Sequence, residues 1–198
     1  SHFHPDHCSE LSSFLHIALA DPAKSKARSK EVSIYGPDGI NEAVNLILKA
    51  FKLEGLVPKF PINIIALSNE QTFSFQNIQI TAFKNNHSNQ LNSLSYRLKS
   101  EDKIFAYSGD TSDCPGIRQA CQKADLAIIE ASWPSEIKSS SHLSGNVTGQ
   151  IATDCKVKHL VPTHSSPYYI ENFDIQKDIS QTFKGQITPA MDLLSIEV

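Results

Sequence analysis

Several things are scarce in this sequence, and each scarcity removes a class of function. No apolar run in the 198 residues approaches the length of about 20 that a membrane-spanning helix needs, and no secretory leader is visible. The expectation is a cytoplasmic chain with no membrane partner. Positive charge is not in excess: 18 Lys and Arg stand against 21 Asp and Glu, a net charge of -3. Nothing global therefore draws the chain to a nucleic-acid backbone. The four cysteines, Cys8, Cys114, Cys121 and Cys155, include no C-x-x-C pair and no regular spacing. They read as reduced thiols rather than a disulfide framework. Internal repeats, linkers and low-complexity segments are missing too, so residues 1–198 read as one domain, long enough to bury a core.

What is present is concentrated at the start. Ser1-His2-Phe3-His4-Pro5-Asp6-His7 packs three imidazoles and a carboxylate into six residues. On an extended strand end His2 and His4 point to the same side. Pro5 biases His4 toward extended backbone and stiffens a turn that delivers Asp6 and His7 to a neighbouring position. Two ligands to one metal and two to another is the natural reading. The motif begins the chain with no Met and no strand ahead of it, and the expectation is that N-terminal strands belong before position 1. Cys8, directly after His7, reads as a small buried residue opening a helix rather than a ligand. Lys24, Lys26, Arg28 and Lys30 form one basic cluster, a solvated loop or a phosphate-facing one.

Periodicity places the remaining elements. A helix is expected over residues 8–20, with Leu11, Phe14, Leu15 and Ala18 on one face. A strand over 32–35 follows, then a Gly-Pro-Asp-Gly turn into a helix reaching about Phe51, and a strand over 62–67. Residues 73–75 and 78–83 alternate like paired antiparallel strands, and residues 93–98 and 104–107 form another pair. Strand–helix alternation comes after: helices over 116–123, 147–155 and 174–183, and strands over 126–129, 159–161 and 193–198. The sum is a sheet-rich α/β layered fold with helices outside.

A two-metal site needs more donors than the opening motif supplies. His87, Asp110 and His164 each lie just past the C-terminal end of an apolar strand, where a sheet edge collects loops into a cleft. His16 and His159 fall inside regular elements and read as structural.

Taken in order, His2-x-His4-x-Asp6-His7, His87, Ser108-Gly109-Asp110-Thr111 and Thr163-His164 resemble the metal motifs of the metallo-β-lactamase fold superfamily. Asp110, the run from Ala124 to Ser132, and His142-Leu143-Ser144 make it similar to the ribonuclease Z-like branch. The resemblance implies an α/β, four-layer αβ/βα sandwich, N-terminally incomplete, forming a single hydrolase domain. It implies two divalent metal ions, with His2, His4 and His87 on one, Asp6, His7 and His164 on the other, and Asp110 bridging. An all-nitrogen and oxygen donor set favours zinc and admits manganese or iron. Two such ions about 3.5–4 Å apart hold a hydroxide nucleophile at neutral pH, and Asp6 would both ligate and orient it. The resemblance also places His142 against the scissile phosphate as leaving-group acid, with Glu130 a candidate to orient it; a helix-capping surface histidine is the alternative. It allows a homodimer.

Only 22 residues separate His87 from Asp110, leaving no room for the tRNA-gripping arm usual in that branch. The leading reading is therefore a small, armless, zinc-dependent phosphodiesterase acting on a small phosphodiester or nucleic-acid substrate. Two alternatives stand beside it. One is a carboxylic ester, thioester or lactone hydrolase using the same metals, and the other is an inactive metal-binding module or truncated fragment.

Overall fold

The computed structural model describes residues 1–20, 30–56 and 60–197. They fall into two compact units, residues 2–67, and residues 68 onward together with Ser1.

In the first unit Pro5–Cys8 forms a single turn of helix, α1, and Glu10–Ala20 forms α2. One continuous helix from Cys8 was the expectation. Proline is pre-set for the first helical position and starts the short turn early, and the chain breaks at Ser9 before α2 begins. Strands β1 (Val32–Pro37) and β2 (Ile62–Leu67) pair in parallel, Val32 opposite Ile62 through Pro37 opposite Leu67. Helix α3 (Ile40–Ala50) lies between them in sequence. Its stripe Ile40, Val44, Ile47 and Leu48 has the spacing of one helix face. It packs in a cluster with Leu11, Leu15, Leu19, Leu53, Ile34 and Ile64. Leu11, Leu15 and Leu19, four apart, carry the buried side of α2, so the expected face is corrected at one position. Phe14 is 41% exposed.

The second unit is built on a seven-stranded sheet whose spatial order follows the sequence. Its strands are β3 (Thr72–Phe75), β4 (Ile78–Lys84), β5 (Leu94–Ser100), β6 (Lys103–Tyr107), β7 (Leu126–Glu130), β8 (His159–Thr163) and β9 (Gln186–Ile187). β3 to β6 form an antiparallel meander, while β6 to β9 pair in parallel. Since β4 and β6 both run against β5, the C-terminal ends of β4, β6, β7 and β8 share one edge of the sheet. β7 (Leu-Ala-Ile-Ile-Glu) reads as a continuous apolar run because parallel strands are covered on both faces. Helices α4 (Pro115–Cys121), α5 (Gly145–Asp154), α6 (Pro167–Asn172) and α7 (Ile175–Ile179) complete the unit. Ile117, Ile129, Ile151, Leu160 and Ile179 are fully buried between sheet and helices, each contributing about 1.5–3 kcal/mol of burial.

Two C-terminal expectations are corrected. The helix expected over 174–183 is the shorter α7, and α6 precedes it unanticipated. The strand expected over 193–198 is not one among the described residues 193–197. The edge beside β8 is already taken: Thr188 N donates to Leu160 O and Ala190 N to Pro162 O. Leu193 is left fully exposed. No described helix is long and apolar enough to cross a membrane.

Helix α4 sits tight on the end of β4, because a Cβ at Gly116 would fall 2.0 Å from the Lys84 carbonyl oxygen. Backbone cannot yield as a side-chain tip can. Gly116→Ala should lose about 2–3 kcal/mol of stability, read as a lower urea midpoint at unchanged m-value.

Candidate functional site

Each unit gathers its own donors. In the first, His4 ends the extended lead-in (φ -69, ψ 146) and Pro5 opens α1. Proline's bias on the preceding residue thus operates as expected, but Asp6 and His7 arrive on a helical turn, and His2 and His4 are not on a strand. The turn still brings the imidazoles together. His2 Nε2 lies 2.9 Å from His4 Nδ1, the His2 and His7 ring centroids are 4.3 Å apart, and His7 Nε2 is 3.3 Å from Asp6 Oδ2. His2 is buried and Asp6 exposed.

In the second unit the donors stand on the shared strand edge: His87 after β4, Asp110 after β6, Glu130 at the end of β7 and His164 after β8. Asp110 Oδ2 is 3.9 Å from His87 Nε2 and 3.4 Å from His164 Nε2. One ligand atom each from Asp110, His142 and His164 falls within 4.8 Å of the others. The His87 and His142 ring centroids are 4.8 Å apart, and those of His142 and His164 are 5.6 Å apart and stacked.

Backbone geometry is specialised at two of these loops. Gly109 adopts φ +57, and a Cβ there would meet Ser1 Cβ at 2.6 Å and Leu94 O at 3.0 Å. Around it, Asn85 Nδ2 donates to Ser108 O, while Ser93 Oγ donates to the Asp110 carbonyl. These buried bonds hold the Ser108-Gly109-Asp110 turn rigidly. His164 itself has φ +56. A left-handed imidazole-bearing residue costs on the order of 1–3 kcal/mol, a kind of strain that clusters at functional sites.

Glu130 organises the rest. It is wholly buried, yet its carboxylate accepts from Thr111 N at 2.7 Å, Leu143 N at 3.1 Å and Ser132 Oγ at 2.5 Å. His142 Nδ1 completes the set at 3.1 Å. Four donors fill the acceptor capacity of one carboxylate and offset its desolvation. A carboxylate cannot donate, so His142 carries its proton on Nδ1 and turns Nε2 away from Glu130. The segment bearing His142 is pinned from its other side. Ser135 N donates to Asp178 Oδ2 at 3.0 Å and Ser135 Oγ to Asp178 Oδ1 at 2.5 Å. Tyr169, whose phenol is pushed up by burial and by the same carboxylate, donates to Asp178 Oδ2. The segment is a braced loop, not the capped helix end of the alternative reading: His142 precedes α5 by three residues, and Ser144 is the N-cap.

Cys8 closes α1, donates Sγ–H to His4 O at 3.2 Å, and has its thiol pushed up by burial. It is half-buried, ending a helix rather than opening one. His16 is exposed on α2. His159 Nε2 meets Thr188 Oγ1 at 2.9 Å, and burial lowers its pKa. Lys24, Lys26 and Arg28 lie outside the described residues, and Lys30 is exposed. Ser132 was missed: it reads as one small polar residue after a strand. The available signal was its spacing of two from Glu130, which puts both side chains on one side of an extended segment.

An α/β chain whose parallel strand ends collect imidazoles and carboxylates in this order is of the metallo-beta-lactamase fold class. Residues 1–165 match the beta-lactamase superfamily domain, and the chain belongs to that family. Within it the chain lies in the ribonuclease Z-like branch. It is 26% identical to the ribonuclease Z of Methanosarcina mazei over 254 positions, covering all of this chain and 79% of that one. It is 23% identical to that of Ignicoccus hospitalis, covering 85% of this chain and 70% of the relative. Among solved structures, the metallo-beta-lactamase fold protein YhfI of Bacillus subtilis superposes with a TM-score of 0.76 at 20% identity, over 96% and 72% of the two chains. The short form of human tRNase Z gives 0.70 at 22%, over 100% and 78%. Membership makes the chain a hydrolase.

The strain at His164 predicts opposed effects of two substitutions. In metal-free protein His164→Gly should be more stable than His164→Ala by about 1 kcal/mol, measured by urea unfolding. Equal stabilities would show that the left-handed backbone at 164 is not held in solution.

Proposed function

We propose that the chain is a dinuclear metal-dependent phosphodiesterase. His2, His4 and His87 hold one divalent cation, Asp6, His7 and His164 hold the second, and Asp110 is shared by both.

The observation that carries this reading is a convergence of acceptors. His87 Nδ1 faces the Ser141 carbonyl at 2.9 Å, which can only accept, so the proton is on Nδ1 and Nε2 carries the lone pair. That lone pair points toward a buried carboxylate oxygen, Asp110 Oδ2, which the His164 ring also approaches through Nε2. An imidazole lone pair brought up to a buried carboxylate, with a second imidazole beside it, suits a cation. Imidazole nitrogen and carboxylate oxygen are the donors that zinc accepts, with manganese or iron as substitutes. A ligand ring fixed through its other nitrogen, as His87 is by the Ser141 carbonyl, is the arrangement that orients metal-binding histidines.

When bound, two such ions supply Lewis-acid charge and lower the pKa of water toward neutrality. The chain's own residues do the remainder. Asp6, exposed beside His7, is placed to accept a proton from an attacking water and orient it. His142, held at Nδ1 by Glu130, presents Nε2 to protonate the leaving oxygen. Glu130 remains the acceptor at Nδ1, so the proton is delivered from Nε2 without the ring turning.

Phosphodiesters are favoured over other esters because the relatives matched over most of this chain are ribonucleases Z, and because His142 is braced as a proton donor. A small substrate is favoured over tRNA. The interval from His87 to Asp110 is occupied by β5 and β6, joined through Glu101 and Asp102 alone, and the net charge is -3. Backbone-driven RNA binding needs the opposite sign.

Chelation and Asp110→Ala should each abolish hydrolysis of bis(p-nitrophenyl) phosphate, and readdition of zinc should restore only the chelated wild type. Turnover that survives complete metal removal sinks the reading. His142→Ala should cut kcat on a dinucleotide, whose alkoxide leaving group needs a proton, by about 10²–10⁴. The loss on the p-nitrophenyl ester, whose leaving group is already stable as an anion, should be much smaller. Equal losses on both substrates would remove the acid role. Faster turnover of thioesters or lactones, indifferent to His142→Ala, would move the function to carboxylic ester hydrolysis.

A further inference from the structure

We infer that Ser132 is a positioning residue that relays the charge of Glu130 to His164, so that one buried carboxylate sets the tautomer of both the acid histidine and a metal-ligand histidine. The inference rests on the reading of His164 as a ligand.

The argument is an accounting of one hydroxyl proton. Ser132 Oγ lies 2.5 Å from Glu130 Oε2. Glu130 accepts from two backbone N–H groups as well, so it is an acceptor there and the serine proton is committed to it. Ser132 Oγ also lies 2.9 Å from His164 Nδ1. With its proton spent, the hydroxyl offers that ring only a lone pair, so His164 must donate Nδ1–H. The ring is then left with an acceptor at Nε2, the atom that faces Asp110 Oδ2 at 3.4 Å. Ser132 is 4% exposed, so its hydroxyl is shielded from water.

Ser132 Oγ is 3.3 Å from His142 Nδ1 as well, beside that ring's closer contact with Glu130. The hydroxyl therefore sits between two stacked imidazoles and a carboxylate, and it connects the carboxylate to His164 by hydrogen bonds. The fourth acceptor position of Glu130 is taken by the Ser132 hydroxyl, and His164 stands on the neighbouring strand end, so the hydroxyl bridges the two. The bonding logic also requires a hydroxyl: alanine breaks the relay, whereas threonine preserves it.

Ring nitrogen-15 shifts of the metal-free protein test this without metal. Wild type and Ser132→Thr should show His164 protonated at Nδ1, and Ser132→Ala should move the proton to Nε2 or mix the two forms. Zinc titration against a chromophoric chelator gives a second readout. Ser132→Ala should weaken one site by about 10–100-fold, Ser132→Thr should restore it to within about threefold, and His164→Ala should lose that site. A wild-type His164 protonated at Nε2, or an unchanged tautomer in Ser132→Ala, overturns the inference, and so does unchanged zinc affinity in Ser132→Ala when His164→Ala has lost a site. Wild type that binds no zinc at all instead sinks the metal reading, and the tautomer measurement still decides the role of Ser132.

Discussion

Everything distinctive about the second unit depends on burying one charge. Glu130 ends an apolar strand with no solvent contact, where an unpaired carboxylate would cost several kcal/mol. The fold meets that cost by bringing donors from three separate segments: Thr111 from the loop after β6, Ser132 from the exit of β7, and His142 with Leu143 from the braced segment before α5. Each segment also carries, or adjoins, a candidate functional group. The groups therefore stand where they do because a charge on β7 has to be satisfied.

This explains the loop geometry around it. Thr111 N reaches Glu130 only if the chain turns sharply after Asp110, and Gly109 with φ +57 begins that turn. The buried hydroxyls of Ser93, Ser95 and Ser108 donate to the Asp110, Ser108 and Gly109 carbonyls of that turn. On the far side, Asp178 performs the same service for Ser135 and Tyr169 that Glu130 performs for His142. Two buried carboxylates thus grip one loop at both ends. Partial satisfaction of such a network would be worse than an apolar core, which is why the donors are so completely matched. The strain left at His164 fits this scheme, since a left-handed residue persists only where its surroundings over-determine it.

Much of this was legible in the sequence, for identifiable reasons. Strand ends at 84, 107 and 163 are marked by apolar runs stopping at polar residues, so His87, Asp110 and His164 could be placed at a sheet edge from periodicity alone. The parallel direction of β4, β6 and β8 follows from one meander and two crossovers. Less visible was anything set by tertiary partners. Phe14 and Leu11 are equally apolar and three apart, and only the packing of α3 on α2 decides that Leu11, Leu15 and Leu19 face inward. The apolar residues after 192 suggested a strand, but residues 186–190 reach the β8 edge first. Ser132 left almost no trace, because a hydroxyl that passes on a hydrogen bond looks in sequence like any small polar residue after a strand.

The direction of hydrogen bonds, rather than the list of donors, is what makes the arrangement chemically definite. A cluster of histidines and aspartates is ambiguous by itself, because an imidazole can offer either nitrogen as donor or acceptor. Here the ambiguity is removed from outside the cluster. The Ser141 carbonyl fixes His87, the Glu130 carboxylate fixes His142, and the committed hydroxyl of Ser132 fixes His164. In all three rings the proton sits on Nδ1, so all three turn Nε2 outward from their supports. Two of those Nε2 atoms, on His87 and His164, face Asp110, while the third belongs to the ring backed by the Glu130 carboxylate. In the function proposed above, the same Nδ1–H leaves a ligand atom on His87 and His164 and, with His142 doubly protonated, a proton donor at the third Nε2. What separates the roles is the partner behind each ring: a neutral carbonyl and a hydroxyl behind the ligands, and a full negative charge behind the acid.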